Sequence, residues 1–337
     1  MKRRSFLLVA GTPLLSGCVS SLSGTQPACQ VSESVEDPPD RVYLPTHREE
    51  MKMLGSDTAG AYEVSFSYTY THRFWTVNGT RTERVEPADD ETVHVMATVR
   101  DSETGVPLPV GTGASLRILR DGENVFERSP WLMVSQTMGF HLGDNVSLDG
   151  DGEYVAQLTL GKPDARLAGP LEGRFDGGTE TAEVEFEYSL DDRNSIECEE
   201  FDEERWGESG AVEPMMKMGG RSIEDTAEVR ADDDTLFTFE NDDGYLAVHA
   251  LTPHNRHALP LMSIEATVER DGETVLDDSL VPTVDARGYH YGAKMSADYE
   301  AQEGDTVRVD VVTPPQVSRH VGYQTAFLGT PTVEVSL

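Results

Sequence analysis

Positive charge is scarce in this sequence. The chain carries 27 lysines and arginines against 61 aspartates and glutamates, for a formal net charge of −34. Nucleic acid is excluded as a partner, because no basic face is available to neutralise phosphates. The acidic residues are interleaved with strand-like runs and are not gathered into one tail, which indicates a solvated acidic surface. Such a surface repels itself in dilute buffer and is screened by salt, so the composition is typical of a halophile.

Cysteine is equally scarce. The three cysteines are Cys18, Cys29 and Cys198, and their wide separation excludes a zinc motif of the usual spacing. Outside the cell, Cys29 and Cys198 can form a disulfide or remain as two thiols, and the sequence leaves both alternatives open.

Long apolar runs are missing as well. The apolar run that follows Lys2, Arg3 and Arg4 is too short to span a bilayer, and it ends at Leu15-Ser16-Gly17-Cys18. This ending resembles the lipobox of exported lipoproteins. The resemblance implies a twin-arginine lipoprotein signal at residues 1–17 and a lipid anchor on Cys18, which would hold the chain at the extracellular face of the cell membrane. A plain signal peptide with an incidental cysteine is the alternative.

Recognisable catalytic motifs are absent too. The sequence has no Gly-x-Ser-x-Gly elbow, no phosphate-binding glycine loop and no His-Glu-x-x-His helix. Acidic residues are so abundant that a pair of carboxylates carries no information. We therefore expect a protein that is not an enzyme.

Strand-like alternation is what the sequence has in abundance. It is clear at 62–68, 93–99 and 182–188, and turn signals such as Asp121-Gly122, Asp151-Gly152 and Asp271-Gly272 separate further runs. The pattern predicts an all-β protein built from antiparallel sheets packed face to face.

Two sequence landmarks recur at nearly one offset. The segment 120–125 returns as 270–275, and 139–143 returns as 288–292. The recurrence predicts two tandem copies of one Ig-like β-sandwich. We expect an acidic, Ser- and Pro-rich spacer at 18–48, a first sandwich at 49–190, an acidic linker at 191–214 and a second sandwich at 215–337.

Histidine and methionine are the residues that could carry chemistry. His141 and His290 occupy matching positions of the two copies, and Met133 and Met138 lie just upstream of the first. Imidazole and thioether together suit copper, and they tolerate iron and zinc. Turn-capping histidines and core methionines are the alternative interpretation.

The segment 131–154 resembles the signature stretch of the periplasmic high-affinity iron-transport protein family. That family consists of Ig-like sandwiches that bind divalent metal and often form dimers, so a homodimer is implied here too, in a tandem, halophilic-archaeal form. Met133 and His141 match family ligands, and His94 matches the first member of a His-x-Glu pair. Met96 stands where the glutamate would be. The closing histidine of the family, which follows a Pro-Pro pair, has no counterpart in the first copy.

The second copy resembles the other half of the family pattern. His290 matches the turn histidine, and His320 follows Pro314-Pro315 as the closing histidine does. Thr283 replaces the methionine, and Asp243 and Tyr245 replace the His-x-Glu pair. The resemblance implies a bound transition metal, with ligands drawn from a set of seven: His94, Met96, Met133, Met138, His141, His290 and His320. Neither copy has the full family set, so three alternatives stay open: both sites are altered, one is vestigial, or His254 and His257 supply ligands.

The sequence thus predicts a surface lipoprotein that binds iron or copper, with zinc as a further candidate, and passes the ion to a membrane permease. The competing hypothesis is a non-catalytic, Ig-like interaction or structural module at the cell surface, in which the histidines only satisfy turns.

Overall fold

The computed structural model describes residues 34–215, 227–242, 244–295 and 304–336. The signal segment, Cys18, Cys29 and Asp243 lie outside these ranges. Cys198 is disulfide-bonded. None of the helices in the described ranges is long and apolar enough to cross a bilayer.

The prediction of an all-β sandwich fold is confirmed, since strands dominate the described residues. The first half of the chain contributes fourteen strands, in chain order β1 (His47–Glu49), β2 (Lys52–Ala59), β3 (Tyr62–Thr69), β4 (Phe74–Asn78), β5 (Arg81–Val85), β6 (Val93–Asp101), β7 (Ser115–Arg120), β8 (Glu123–Arg128), β9 (Trp131–Ser135), β10 (Gly139–Val146), β11 (Gly152–Leu160), β12 (Arg166–Leu167), β13 (Glu180–Tyr188) and β14 (Cys198–Glu200).

The second half contributes ten further strands within the described ranges. They are β15 (Ala227–Arg230), β16 (Leu236–Asp242), β17 (Tyr245–Leu251), β18 (Ser263–Arg270), β19 (Glu273–Ser279), β20 (Val281–Asp285), β21 (Gly288–Lys294), β22 (Thr306–Thr313), β23 (Ser318–Arg319) and β24 (Thr332–Ser336). The helical elements are short: α1 (Leu190–Asn194) and two 3-10 turns, Gly169–Leu171 and Glu203–Arg205. The acidic segment between the halves therefore has local structure, including α1 and β14.

The strands form two sandwiches and one small ribbon. An eight-stranded sheet in the order β2-β3-β6-β10-β9-β23-β4-β5 faces a four-stranded sheet, β13-β11-β7-β8. A six-stranded sheet, β12-β20-β21-β17-β16-β15, faces a second four-stranded sheet, β19-β18-β22-β24. The ribbon pairs β1 with β14 and places Glu49 opposite the disulfide-bonded Cys198.

Burial follows the pleat of the strands. In β13, Val184 and Phe186 are buried while Glu183, Glu185 and Glu187 are exposed, as expected for a strand with one face on the core. Strand β10 is different, because all eight of its residues are buried. The sheet around β10 is therefore covered on both faces. One face packs on the hydrophobic core, and the opposite face can hold buried polar side chains.

Each sandwich lends a two-residue strand to the other. Strand β23, from the second half of the chain, lies between β9 and β4, where it pairs in parallel with β9. Strand β12, from the first half, pairs in parallel with β20. The residue after each exchanged strand is held in the same way. The amide of His320 donates to Val134 O, and the amide of Ala168 donates to Val284 O, so His320 and Ala168 occupy corresponding positions in the two sandwiches. The exchange places residue 320 in the first sandwich.

Candidate metal centre

Three histidines converge on the outer face of the eight-stranded sheet. On β6 and β10 the apolar side chains Val95 and Leu142 belong to the core, so alternate residues such as His94 and His141 point to the opposite face. His320 reaches the same face through the exchanged β23. One ring nitrogen from each of the three histidines lies within 4.8 Å of the others.

The three histidines are buried and their Nε2 atoms face the cluster unpaired. The residues are at most 6% exposed, and within the described ranges Nε2 of His94, His141 and His320 has no hydrogen-bond partner. A buried polar atom left without a partner costs about 1–3 kcal/mol. Three such atoms beside one another indicate a site built for something that accepts their lone pairs.

The tautomer of two of these rings is set by their other nitrogen. His94 Nδ1 lies 2.9 Å from Asn145 Oδ1, and His141 Nδ1 lies 3.0 Å from Gly139 O. Both oxygens can only accept, so each Nδ1 donates its hydrogen and each Nε2 keeps a free lone pair. Ligating histidines in metal sites are commonly oriented in this way.

Met133 supplies a sulfur to the same space. A Cβ placed on Gly143 would lie 2.7 Å from His94 Nε2 and 2.9 Å from Met133 Sδ. The absence of a side chain at Gly143 therefore leaves the space beside His94 Nε2 and Met133 Sδ open. Together with the three converging imidazoles, this thioether makes a donor set that suits copper and accepts other late first-row cations.

Burial keeps the cluster neutral. It lowers the pKa of His141 to about 4 and holds the pKa values of His94 and His320 well below their usual range, with the neighbouring histidines adding to the effect. Neutral imidazole is the form that binds a cation, so the three rings are ready to ligate at neutral pH.

A fourth histidine and a carboxylate adjoin the cluster, and sequence reasoning missed both. The His72 ring lies edge-on to His94 and His320, with centroid distances of 4.9 and 5.0 Å. Its Nδ1 is 3.1 Å from Glu49 Oε1. Burial works to raise the pKa of Glu49, but His72, His47 and Thr69 outweigh it and leave that pKa below its usual value. No sequence motif joins these residues, so only the fold reveals them.

The remaining predicted methionines line a pocket beside the cluster. Met96 and Met138 are almost fully buried, and both contact the same pocket as His320 and His72. Unlike the Met133 sulfur, neither of their sulfurs is among the three atoms nearest to a Cβ placed on Gly143.

The sequence grouped His320 with His290, and the structure corrects this grouping. His320 joins His94 and His141 because β23 is inserted into the first sandwich. His290 lies in the second sandwich, where its Nε2 is 3.0 Å from Tyr245 Oη. The first copy thus receives its closing histidine from the second half of the chain.

Strand register also corrects the counterparts of His94 and Met96. His94 is opposite Asn145 on β10 and Tyr245 is opposite Lys294 on β21, so Tyr245 corresponds to His94. By the same register, Ala247 corresponds to Met96, where the sequence had predicted the pair Asp243 and Tyr245.

The second copy has no equivalent space for an ion among its described residues. A Cβ on Gly292 would collide with Tyr245 Oη at 1.9 Å, so the phenol fills the position that stays open beside Gly143. Thr283 corresponds to Met133 and Ala168 to His320. Of the four positions that correspond to His94, Met133, His141 and His320, only the one that corresponds to His141 keeps a histidine, His290.

Comparisons with known proteins give partial likenesses. Residues 214–336 match a family described as "Domain of unknown function (DUF7350)". No curated protein matches the chain. Two solved structures of FetP from uropathogenic E. coli strain F11 are similar to part of it. The "as isolated" form has 19% identity and a TM-score of 0.31, covering 42% of this chain and 97% of its own. A copper-bound Glu-to-Gln variant has 21% identity and a TM-score of 0.32, covering 41% and 97%. Such low values say nothing about what this chain binds.

Proposed function

We propose that this protein captures a transition-metal cation, copper or iron, at His94, Met133, His141 and His320, and passes it to a membrane permease. The observation that carries the proposal is the convergence of three buried histidines, which bring one ring nitrogen each to within 4.8 Å of the others and whose Nε2 atoms have no hydrogen-bond partner in the described residues. A cation accepts all three lone pairs at once, which removes the cost of burying them.

The donor set favours a soft or borderline ion. All four donors are uncharged, and one is a thioether, whereas calcium and magnesium prefer several oxygen ligands. Cu(I) is well served by three imidazoles and a sulfur. Fe(II) and Zn(II) are the next candidates, because imidazole suits both.

The proposed role is binding and transfer, without catalysis. A lipid anchor on Cys18 would keep the protein at the extracellular face of the membrane, within reach of a permease. The anchor predicts that a Cys18→Ser variant appears in the medium while the wild type sediments with membranes. If both forms sediment equally, the anchoring part of the proposal is wrong.

Metal titration tests the binding part. Full-length protein without an affinity tag, stripped by chelator, is titrated with Cu(I), Fe(II) and Zn(II) in concentrated KCl. The wild type and the control His254→Ala, whose side chain is exposed, should bind one ion tightly at the cluster. Loss of a residue that only hydrogen-bonds to a metal ligand lowers affinity roughly 10- to 100-fold. His141→Ala and His320→Ala remove ligands themselves, so their affinity should fall further. If no ion binds, or if His141→Ala binds as the wild type does, the protein is better explained as a surface interaction module.

A further inference from the structure

Two segments of the chain fit the acceptor pattern for N-linked glycosylation, in which an asparagine is followed two residues later by serine or threonine. They are Asn78-Gly79-Thr80 and Asn145-Val146-Ser147. The pattern alone does not choose between them, because such triplets also arise by chance. Exposure and the contacts of the two asparagine side chains do distinguish them.

Asn78 lies at the tip of the hairpin that joins β4 to β5. It is the last residue of β4 and is paired with Arg81, so Gly79 and Thr80 form the two-residue turn between them. Gly79 has a φ of +60°, which suits the first central residue of a type II′ hairpin turn. Asn78 and Thr80 are both exposed, so the two residues that the pattern requires are at the surface.

The hairpin leaves room for a bulky group. Strand β5 is the last strand of the eight-stranded sheet, and its residues 81–84 are exposed. Gln316 holds the turn, because its amide nitrogen donates to Gly79 O and its amide oxygen accepts from Gly79 N. A Cβ placed on Gly79 would meet no atom within 4 Å beyond its chain neighbours. The turn is therefore held in place yet uncovered in the part of the chain that the structure describes.

The second acceptor pattern is closed off by burial and by its own contacts. Asn145 is only 2% exposed. Its Nδ2 donates to His72 O at 2.9 Å, and its Oδ1 accepts from the amide of His72 at 3.1 Å and from His94 Nδ1 at 2.9 Å. A sugar attached to this nitrogen would have to displace the atoms packed around it, so the folded chain cannot accept a glycan here.

We propose that Asn78 is N-glycosylated by a membrane transferase that uses a lipid-phosphate-linked oligosaccharide. Asn78 Nδ2 gives up one proton to a base of the transferase and forms a bond to C1 of the first sugar. The bond between C1 and the phosphate oxygen breaks, and the lipid phosphate leaves with the electron pair. This inference rests on the proposed function only in placing the chain outside the cell. The twin-arginine signal expected at residues 1–17 would export a folded chain, in which Asn78 is exposed and Asn145 is buried.

Mass spectrometry of tryptic peptides tests the site. The full chain is expressed from its own gene in its native cells and purified from their envelope. Cleavage after Arg73 and Arg81 releases peptide 74–81, which contains the first pattern, and the second lies in peptide 129–166. Peptide 74–81 should carry a sugar chain, detected as an added mass that fragments into sugar ions, and peptide 129–166 should be unmodified.

Four variants identify the acceptor atom. Thr80→Ala removes the pattern but keeps the asparagine, and Asn78→Gln removes the acceptor, so both should leave peptide 74–81 unmodified. Thr80→Ser keeps the pattern and should keep the sugar. Ser147→Ala is the matched control, because it destroys only the buried pattern, and it should also keep the sugar. A sugar that survives on peptide 74–81 in Asn78→Gln, or one found on peptide 129–166, would overturn the proposal.

The outcomes also separate the glycan from the proposed function. Protease added to intact cells reports whether the chain is exposed outside them. An unmodified peptide 74–81 from a chain that the protease removes overturns the glycan and leaves the proposed function standing. An unmodified peptide from a protected chain overturns the glycan together with the extracellular location. A glycosylated chain that binds none of the titrated metals keeps the glycan and overturns metal capture.

Discussion

Gly143 shows how a single residue creates the space in the cluster. Its position on β10 between His141 and Asn145 would direct a side chain to the covered face, into the gap bounded by His94 Nε2 and Met133 Sδ. Its φ is not in the left-handed region, so glycine is required there by the space and not by the backbone.

Filling that space should abolish binding. In Gly143→Ala the new methyl group would occupy the position of the ion. We expect metal affinity to fall by at least 100-fold, a larger loss than removing a residue that only hydrogen-bonds to a ligand would cause. Isothermal titration of the stripped protein with zinc measures the loss. Gly177→Ala is the control, because the nearest atom to its Cβ would be Glu180 Oε1 at an ordinary 3.5 Å. Equal affinity in Gly143→Ala and wild type would place the ion elsewhere.

The buried His141 also makes a prediction about pH. Its pKa in the folded protein is about 4, against 6.5 for an ordinary histidine. Between these values the unfolded chain takes up a proton that the folded chain refuses, so the free energy of unfolding falls as pH falls from 6.5 towards 4. The full effect is roughly 3 kcal/mol.

Denaturant unfolding of the metal-free wild type and His141→Gln at pH 7 and pH 4 isolates this effect. The variant lacks the titrating ring, while both proteins share the protonation of their many carboxylates. The stability difference between them, wild type minus variant, should therefore shrink by roughly 3 kcal/mol at pH 4. A difference that does not change with pH would mean that His141 is not buried as the structure shows.

The site residues differ in how far the sequence could predict them. His94, Met133 and His141 stood out because scarce residue types occurred in a recognisable pattern on three strands. Glu49 and His72 did not, since their importance comes only from the packing of an N-terminal segment and a loop over the sheet. Asn145 was visible in the sequence, but its hydrogen bonds to His94 Nδ1 and to the His72 backbone were not.

At the scale of elements, long strands were predictable and short ones were not. Strands β3, β6 and β13 contain the alternating runs, and the Asp-Gly pairs at 121–122 and 271–272 join β7 to β8 and β18 to β19 with positive φ at both residues. Strands β12 and β23 have two residues each, too few for a period. Their exchange between the sandwiches could therefore not be predicted. For the same reason the sequence could not show that His320 lies in the first sandwich.

The exchange predicts an asymmetric response to two equivalent-looking substitutions. His320→Ala should lose the tight ion, because β23 carries this ligand into the first sandwich. His290→Ala should keep it, because His290 contacts Tyr245 in the second sandwich, where the phenol fills the corresponding space. Dialysis against one equivalent of zinc distinguishes them. Loss of the tight ion in His290→Ala, with retention in His320→Ala, would contradict the observed strand order.

At the scale of the whole molecule, the net charge of −34 is the dominant feature. Much of the acidity lies on solvent-facing strand positions, as in β13, and the ion pairs are mostly exposed and therefore weak. Mutual repulsion among these carboxylates opposes the compact state, and added salt screens it over a Debye length that shrinks from about 10 Å at 0.1 M to 3 Å at 1 M.

We expect the melting temperature of the metal-free protein to rise steeply as KCl increases from 0.1 M to 1 M. Sucrose is the control, because it is excluded from protein surfaces but does not screen charge. A rise with KCl that exceeds the rise with sucrose would reflect screening. A melting temperature that is flat or falls with KCl would show that repulsion does not limit stability.

The central claim is that one cation sits among His94, Met133, His141 and His320. Anomalous diffraction at the copper edge, from crystals of the stripped and copper-loaded chain, tests it most directly. The account predicts a strong peak beside Gly143, about 2.0–2.3 Å from the three Nε2 atoms and Met133 Sδ, the range of metal–nitrogen and metal–sulfur bonds. Copper bound only to surface carboxylates, with nothing between the three rings, would contradict it.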